Sequence, residues 1–427
     1  MDVIVINGGR ALSGVVNASG SKNAALPLLF ASLLAEGEHV FTNVPRLKDI
    51  DSTELLLNHL NCQTRRLGDQ LSVDVSSPRS LVAPYDIVRK MRASILCLGP
   101  LLTRYGKVKV SLPGGCAIGT RPINLHIEPL QQLGAHIEIE NGYVIAEAKK
   151  LVGERVVFDF ATVGGTENIM MAATLARGTT ILENVAKEPE IVDLAQYLCD
   201  MGAKIQGAGS SVITIEGVHE LRPANHKVIP DRIEAGTLLL AGAITGGDVK
   251  VTNCVPGDLD ALIKKLLDCG FKIETGMDWV RVKPCEQWFA VDVDTAPHPG
   301  FPTDLQAQFM ALMTQARGTS IITERIFENR FMHVQELARM GASITPKAQV
   351  AIVRGARNSL SGAPVMATDL RASACLILAA LATRGETVVN RIYHLDRGYE
   401  KLEVKLASLG ARIDRRVMTA CGPAVAS

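Results

Sequence analysis

Leu130–Ile139, LQQLGAHIEI, reads as the last turn of a helix, a glycine stop and the start of a strand. Glycine is the expected residue after a last apolar turn because it takes positive φ at little cost. The pattern Leu-x-x-apolar-Gly-Ala/Phe-x-Ile returns around Gly202, Gly270, Gly341 and Gly410, and a degenerate first copy places Asn61 at the glycine position. The successive intervals are 73, 68, 68, 71 and 69 residues. A second motif interleaves with it, an apolar helix closed by glycine and followed by a β-rich run. Its copies are AALPLLFASLLAEG, SILCLGPLLTRYG, NIMMAATLARG, AGTLLLAGAITGG, LQAQFMALMTQARG and ACLILAALATRG. These helices are apolar on nearly every face, which predicts burial against sheets. The charged helix that follows each strand run suits a half-exposed position.

Each unit therefore holds two helices and about four short strands. Six units divide most simply into two α/β domains of three. The pattern breaks at Leu221–Ile229, LRPANHKVI, which predicts a hinge there. Two similar lobes leave a cleft between them, the preferred place for a ligand. A repeat scaffold without chemistry is the plain alternative.

Composition narrows the function. The chain has 427 residues, with 45 Lys and Arg against 44 Asp and Glu, so its formal net charge is +1. A nucleic-acid binder usually carries a strong basic excess, and the 4% aromatic content is too low for a base-stacking platform. The apolar stretches Ala24–Ala35 and Ala374–Ala382 are interrupted or shorter than the ~20 residues a bilayer requires. The start, MDVIVINGG, lacks a cationic leader and a cleavage site. Nine cysteines with no CxxC pair predict a reduced, cytoplasmic protein. No HExxH, Cys/His cluster or GxGxxG is present, so neither a metal nor a dinucleotide cofactor is expected.

Candidate chemistry concentrates where the repeat is broken. In SLPGGCAIGTRPINLH, Pro113, Gly114, Gly115 and Gly119 surround Cys116, with Arg121 five residues on. Most thiols are small buried hydrophobes, but these glycines argue for exposure and the nearby cation for a reactive thiol. His126, in the same stretch, suits a structural role better than catalysis. Lys22 and Asn23 open the first buried helix, with Ser19 or Ser21 as its cap and an anion favoured at its amides. Arg92, Arg121, Arg330, Arg371 and Arg397 sit at unit turns, where several planar forks converging on one cleft would bind phosphate or carboxylate. Asp304 and Asp369 open the fifth and sixth buried helices; each suits a helix cap or first-turn acid as well as a general base. Glu188 and Glu190, in KEPEI, read as a solvated loop.

PGGCAIGTRP, SGSKNAALP, PTDLQAQ, ENRFMHV and TDLRASA together resemble the enolpyruvyl transferase family over essentially the whole chain. The cysteine loop points to its UDP-N-acetylglucosamine branch, since the shikimate branch lacks it. The resemblance implies two inside-out α/β domains of three repeats each, residues 22–229 and residues 1–21 with 230–427, and an active site in the cleft between them. It implies transfer of the enolpyruvyl group of phosphoenolpyruvate to the 3′-hydroxyl of UDP-N-acetylglucosamine with release of phosphate. That is the first committed step of peptidoglycan synthesis, and so serves cell wall biogenesis, cell shape and cell division. It also implies a cytoplasmic monomer without cofactor, nucleic-acid or membrane partner.

The resemblance further implies roles for residues. Lys22, Arg121 and Arg397 hold the phosphate of phosphoenolpyruvate beside Asn23, and Arg330 and Arg371 face its carboxylate. Cys116 protonates the methylene carbon, and its thiol is what the epoxide fosfomycin captures. Asp304 takes the proton of the sugar hydroxyl. Arg92, Arg121, Pro122, Ile123, Asn124, Leu125, Thr162, Val163, Gly164 and Ile326 bind the UDP-sugar, with Glu188 and Asp369 supporting the cleft. The Cys116 loop closes over it as a lid. Asn124 departs from the pattern, which has Asp there. Two alternatives remain: an enolpyruvyl transferase for another acceptor such as shikimate 3-phosphate, and a silent UDP-sugar-binding paralogue.

Overall fold

The computed structural model describes residues 2–78, 80–112 and 123–417. Helices form at all six apolar runs: Lys22–Ala31, Leu98–Tyr105, Val163–Ala173, Arg232–Ile244, Thr303–Thr314 and Leu370–Ala382. They are buried along nearly their whole length, as an all-round apolar surface requires. The repeated stop also holds. Gly134, Gly202, Gly270, Gly341 and Gly410 have φ between 94° and 104°, and Asn61 takes φ 71° in the first copy.

The glycines after the buried helices behave differently from the expected cap. Gly106 does cap its helix, at φ 75°. Gly37, Gly178, Gly246, Gly318 and Gly385 also have positive φ, but lie two to six residues beyond the helix ends. A hydroxyl closes the helix instead. Ser32, Thr174, Thr245, Thr314 and Thr383 each donate to a carbonyl three or four residues back at 2.7–2.8 Å. The hydroxyl supplies a side-chain donor to the last turn, where the helix runs out of amides; at Ala380 it shares the carbonyl with the Thr383 amide. The glycine then opens the strand or precedes it by one or two residues.

Among the described residues six four-stranded sheets follow, one per unit. In the third unit, Arg155–Val157 runs parallel to Thr179–Glu183, which pairs antiparallel with Val212–Glu216, itself antiparallel to Lys204–Gln206. Three sheets borrow a strand from a distant part of the chain. Asn225–Lys227 joins Gly37–Thr42, Ser13–Asn17 joins Asp248–Thr252, and Asp2–Asn7 lies between Glu386–Asn390 and Arg412–Val417. The Leu221–Ile229 stretch is therefore partly a strand rather than a free hinge, because Asn225–Lys227 completes the first sheet.

Two hydrophobic cores result. One draws on residues from Ala24 to Val228; the other on Ile4–Ala18 and on residues from Ile233 to Ile413. The chain crosses between them twice, side by side: the Ser21 amide donates to the Ile229 carbonyl at 2.7 Å, and the Asp231 amide to that of Ser19 at 2.8 Å. Among the described residues no helix is long and apolar enough to cross a membrane.

Candidate active site

Polar residues collect at the N-terminal ends of the buried helices, where free amides and the helix dipole favour negative charge. Ser21, not Ser19, caps the first helix, its Oγ accepting from the Ala24 amide. Thr162 caps Val163–Ala173, Asp231 caps Arg232–Ile244 and Asp369 caps Leu370–Ala382. Asp369 thus fills the capping role. Asp304, in the first turn of Thr303–Thr314, does not cap.

Asp304 is gripped from two sides. Arg330 Nη2 donates to its Oδ1 at 2.6 Å, and Arg371 Nη2 to its Oδ2 at 2.6 Å. Burial pushes this carboxyl up, but Arg371 and then Arg330 outweigh it and hold the group well below the usual carboxylate range. Both guanidinium groups are buried, and Arg330 Nε and Arg371 Nη1 find no partner among the described residues. A buried donor without a partner is costly, so this fork is suited to a further anion. Arg330 is steadied by Thr303 Oγ1 at 3.0 Å, and Thr303 donates in turn to Glu324 at 2.8 Å. Glu324 also accepts from the Ile326 and Phe327 amides, fixing the turn that carries Ile326.

Beside this fork, Asp49 pairs with two cations. Lys22 Nζ lies 3.3 Å from Asp49 Oδ2, and Arg397 Nε lies 2.8 Å from Asp49 Oδ1. Lys22 is not a solvated surface lysine: its side chain is 13% exposed. Burial lowers its pKa, opposed by Asp49 and reinforced by Arg371 and Arg397. Asn23 is half-buried next to it. Lys22, Arg330, Arg371 and Arg397 thus meet around two carboxylates, a local cation excess in a nearly neutral chain.

Glu188 and Glu190 are not a solvated loop. Glu190 is buried and paired with Arg232 at 3.1 Å, while Glu188 Oε1 accepts from the His298 amide at 3.4 Å and its Oε2 is buried without a partner among the described residues. The loop reading failed because Arg232 and His298 come from the other core. Glu167, buried nearby, is pushed well above the carboxylate range by burial and then by Glu190 and Glu188.

A further group lies on the first core. Arg92 opens the turn Arg92–Cys97, Ile123 and Asn124 open the helix Asn124–Gln132 that also carries Leu125, and Val163 and Gly164 follow the Thr162 cap. Asn124 donates to Glu128 at 3.2 Å. His126 is neutral in character: burial, then Arg92, pushes it down to about 4. Cys116, Arg121 and Pro122 lie outside the described residues. Sequence reasoning missed Asp49, Asp231, Glu324 and the Arg232 partner of Glu190. Asp231 had a signal, since DRIEAG starts its helix as TDLQAQ and TDLRAS start theirs. Asp49 and Glu324 had none.

A family model described as EPSP synthase (3-phosphoshikimate 1-carboxyvinyltransferase) matches residues 6–406. The UDP-N-acetylglucosamine 1-carboxyvinyltransferase of Bdellovibrio bacteriovorus is 66% identical over 96% of this chain and 100% of its own. That of Trichlorobacter lovleyi is 57% identical over 97% and 99%. Among solved structures, the enolpyruvyl transferase NikO from Streptomyces tendae superposes with a TM-score of 0.87 at 26% identity, covering 97% of this chain and 98% of that one. EPSP synthase from Acinetobacter baumannii shares the fold at a TM-score of 0.76 and 17% identity, covering 98% and 100%. With the family model spanning nearly the whole chain and relatives this similar, the chain belongs to the enolpyruvyl transferase family.

Proposed function

We propose that the protein is an enzyme that transfers the enolpyruvyl group of phosphoenolpyruvate to the 3′-hydroxyl of UDP-N-acetylglucosamine, releasing phosphate. The observation that carries this reading is the meeting of Lys22, Arg330, Arg371 and Arg397 around Asp304 and Asp49. The acceptor follows the relatives at 57–66% identity, named for UDP-N-acetylglucosamine, rather than the EPSP synthase structure at 17%.

In this mechanism Lys22 and Arg397 take the phosphate and release Asp49, while Arg330 and Arg371 take the substrate carboxylate. Shared with that second carboxylate, the two guanidinium groups no longer hold Asp304 so low, and it becomes basic enough to accept the sugar hydroxyl proton. The alkoxide oxygen attacks C2 of phosphoenolpyruvate as Cys116 protonates C3. The Cys116 thiolate then takes back a C3 proton as phosphate is expelled, which restores the double bond in the enolpyruvyl ether and the thiol. The clustered cations stabilise the charge that develops on the leaving phosphate. Arg92, Arg121, Pro122, Ile123, Asn124, Leu125, Thr162, Val163, Gly164 and Ile326 form the sugar-nucleotide face, and the lobes of residues 22–229 and of 1–21 with 230–427 close on both substrates. The substrates are cytoplasmic metabolites of peptidoglycan synthesis, so the enzyme works there, as a monomer.

The test is phosphate release from phosphoenolpyruvate with UDP-N-acetylglucosamine or shikimate 3-phosphate as acceptor, with and without fosfomycin. Turnover with the first acceptor alone, blocked by fosfomycin, is expected. Activity only with shikimate 3-phosphate, or tight UDP-N-acetylglucosamine binding without turnover, sinks the reading. Cys116→Asp, which can still donate a proton, is expected to keep activity and lose fosfomycin sensitivity; unchanged sensitivity would remove Cys116 from the role.

A further inference from the structure

Asn168 sits fully enclosed on the helix Val163–Ala173, and no reaction step uses it. Its Oδ1 accepts from the Gly99 amide at 2.7 Å, and its Nδ2 donates to the Ile95 carbonyl at 3.2 Å. A backbone amide can only donate and a carbonyl only accept, so these contacts fix which end of the side chain is oxygen. The same Nδ2 lies 3.0 Å from His126 Nδ1. That ring nitrogen must therefore offer a lone pair, which leaves the imidazole neutral with its proton on Nε2.

The surroundings agree with a neutral ring. Among the described residues Arg92 is the charged group that bears on His126, and a second cation beside it would be repelled. The ring abuts the start of the Val163–Ala173 helix: a side chain at Gly164 would place its Cβ 3.4 Å from His126 Cε1 and 3.8 Å from Nε2. One amide thus ties together three segments distant in sequence, the turn beginning at Arg92, the helix beginning at Asn124 and the helix following Thr162.

We propose that Asn168 is a positioning residue for the sugar-nucleotide face, locking His126 as the neutral Nε2–H tautomer and holding Arg92, residues 123–125 and Thr162–Gly164 in register. The functional half of this rests on the reading of that face given above; the tautomer does not. Replacing the Asn168 amide nitrogen by a carboxylate oxygen removes the donor and draws a proton onto His126 Nδ1, so that as pH falls an imidazolium forms next to Arg92.

Nitrogen NMR of the full chain with labelled histidine tests the tautomer without any substitution. The expected result is His126 neutral and protonated at Nε2 across the neutral pH range; a ring protonated at Nδ1, or charged, overturns the proposal. Asn168→Asp is expected to raise the KM for UDP-N-acetylglucosamine about tenfold, the loss of roughly one well-formed hydrogen bond, and to leave that for phosphoenolpyruvate unchanged. It should also make the nucleotide KM pH-dependent where the parent's is flat, a signature that loosened packing alone would not produce. An unchanged, pH-independent nucleotide KM overturns the positioning role. Failure of the parent to use UDP-N-acetylglucosamine at all sinks the function reading and leaves the spectrum to decide the tautomer.

Discussion

At the level of single residues, the sequence marked Asp304 by its place at a helix start but could not show what it touches. Arg330 and Arg371 lie 26 and 67 positions away, and nothing local encodes those distances. The fork makes the proposed base role testable. Asp304→Asn removes the proton acceptor but frees two guanidinium groups for the substrate carboxylate. Turnover is expected to fall by about 10²–10⁴, with phosphoenolpyruvate binding by calorimetry retained or tightened; a full-rate variant rules the base out. Because the folded pKa of Asp304 is depressed, the stability it contributes is complete above the ordinary carboxylate pKa and is lost as pH falls from there through the depressed value. Lys22 is lowered by burial in the other direction of charge: it loses its proton sooner than a free lysine and then no longer attracts phosphate. The alkaline limb of kcat/KM for phosphoenolpyruvate should fall below the ordinary lysine range, and Lys22→Arg should move it upward. A limb unmoved in Lys22→Arg would assign it to another group.

At the level of elements, the repeat carried most of what could be read. Each helix stop needs positive φ, so glycine recurs there and Asn61, which tolerates the left-handed region, replaces it once. The hydroxyls that end the buried helices were equally visible, in FASLL, AATLARG and LATRG, but their bond to a carbonyl is a side-chain event that glycine punctuation hides. Periodicity did not reveal the borrowed strands, since pairing of Asp2–Asn7 with Arg412–Val417 spans the chain, and the family resemblance alone put residues 1–21 with the later half. The stop positions give a direct stability test. No atom crowds a Cβ at Gly202, whose φ is 104°, so Gly202→Ala suffers backbone strain alone, and is expected to lower stability in urea by about 1–2 kcal/mol. Asn61→Gly, at φ 71°, keeps an easy backbone and loses the exposed bond from Asn61 Nδ2 to the Ser77 carbonyl at 2.8 Å, so it is expected to cost about 0.5 kcal/mol. Equal effects of the two would mean that positive φ is not what selects these residues.

At the level of the whole molecule, the +1 net charge conceals ion pairs that join the two cores. Arg232 with Glu190 and Arg397 with Asp49 cross between them, as does the Glu188–His298 contact, and the sequence showed these charges without their pairing. Arg232 and Glu190 have side chains only 11% and 3% exposed. Removing one member of a buried pair usually costs about 3–5 kcal/mol because the other charge is left without a partner. Here a cheaper escape exists, because the chain passes between the lobes at two adjacent crossings and Arg232 regains water if they part. Glu190→Gln is therefore expected to open the cleft rather than unfold either core. Small-angle scattering should show a larger radius of gyration than in the parent, and a greater compaction when UDP-N-acetylglucosamine is added, with the thermal midpoint little changed. A radius equal to the parent's together with a large fall in the midpoint would mean that the pair supports the fold of one core rather than closure between the two.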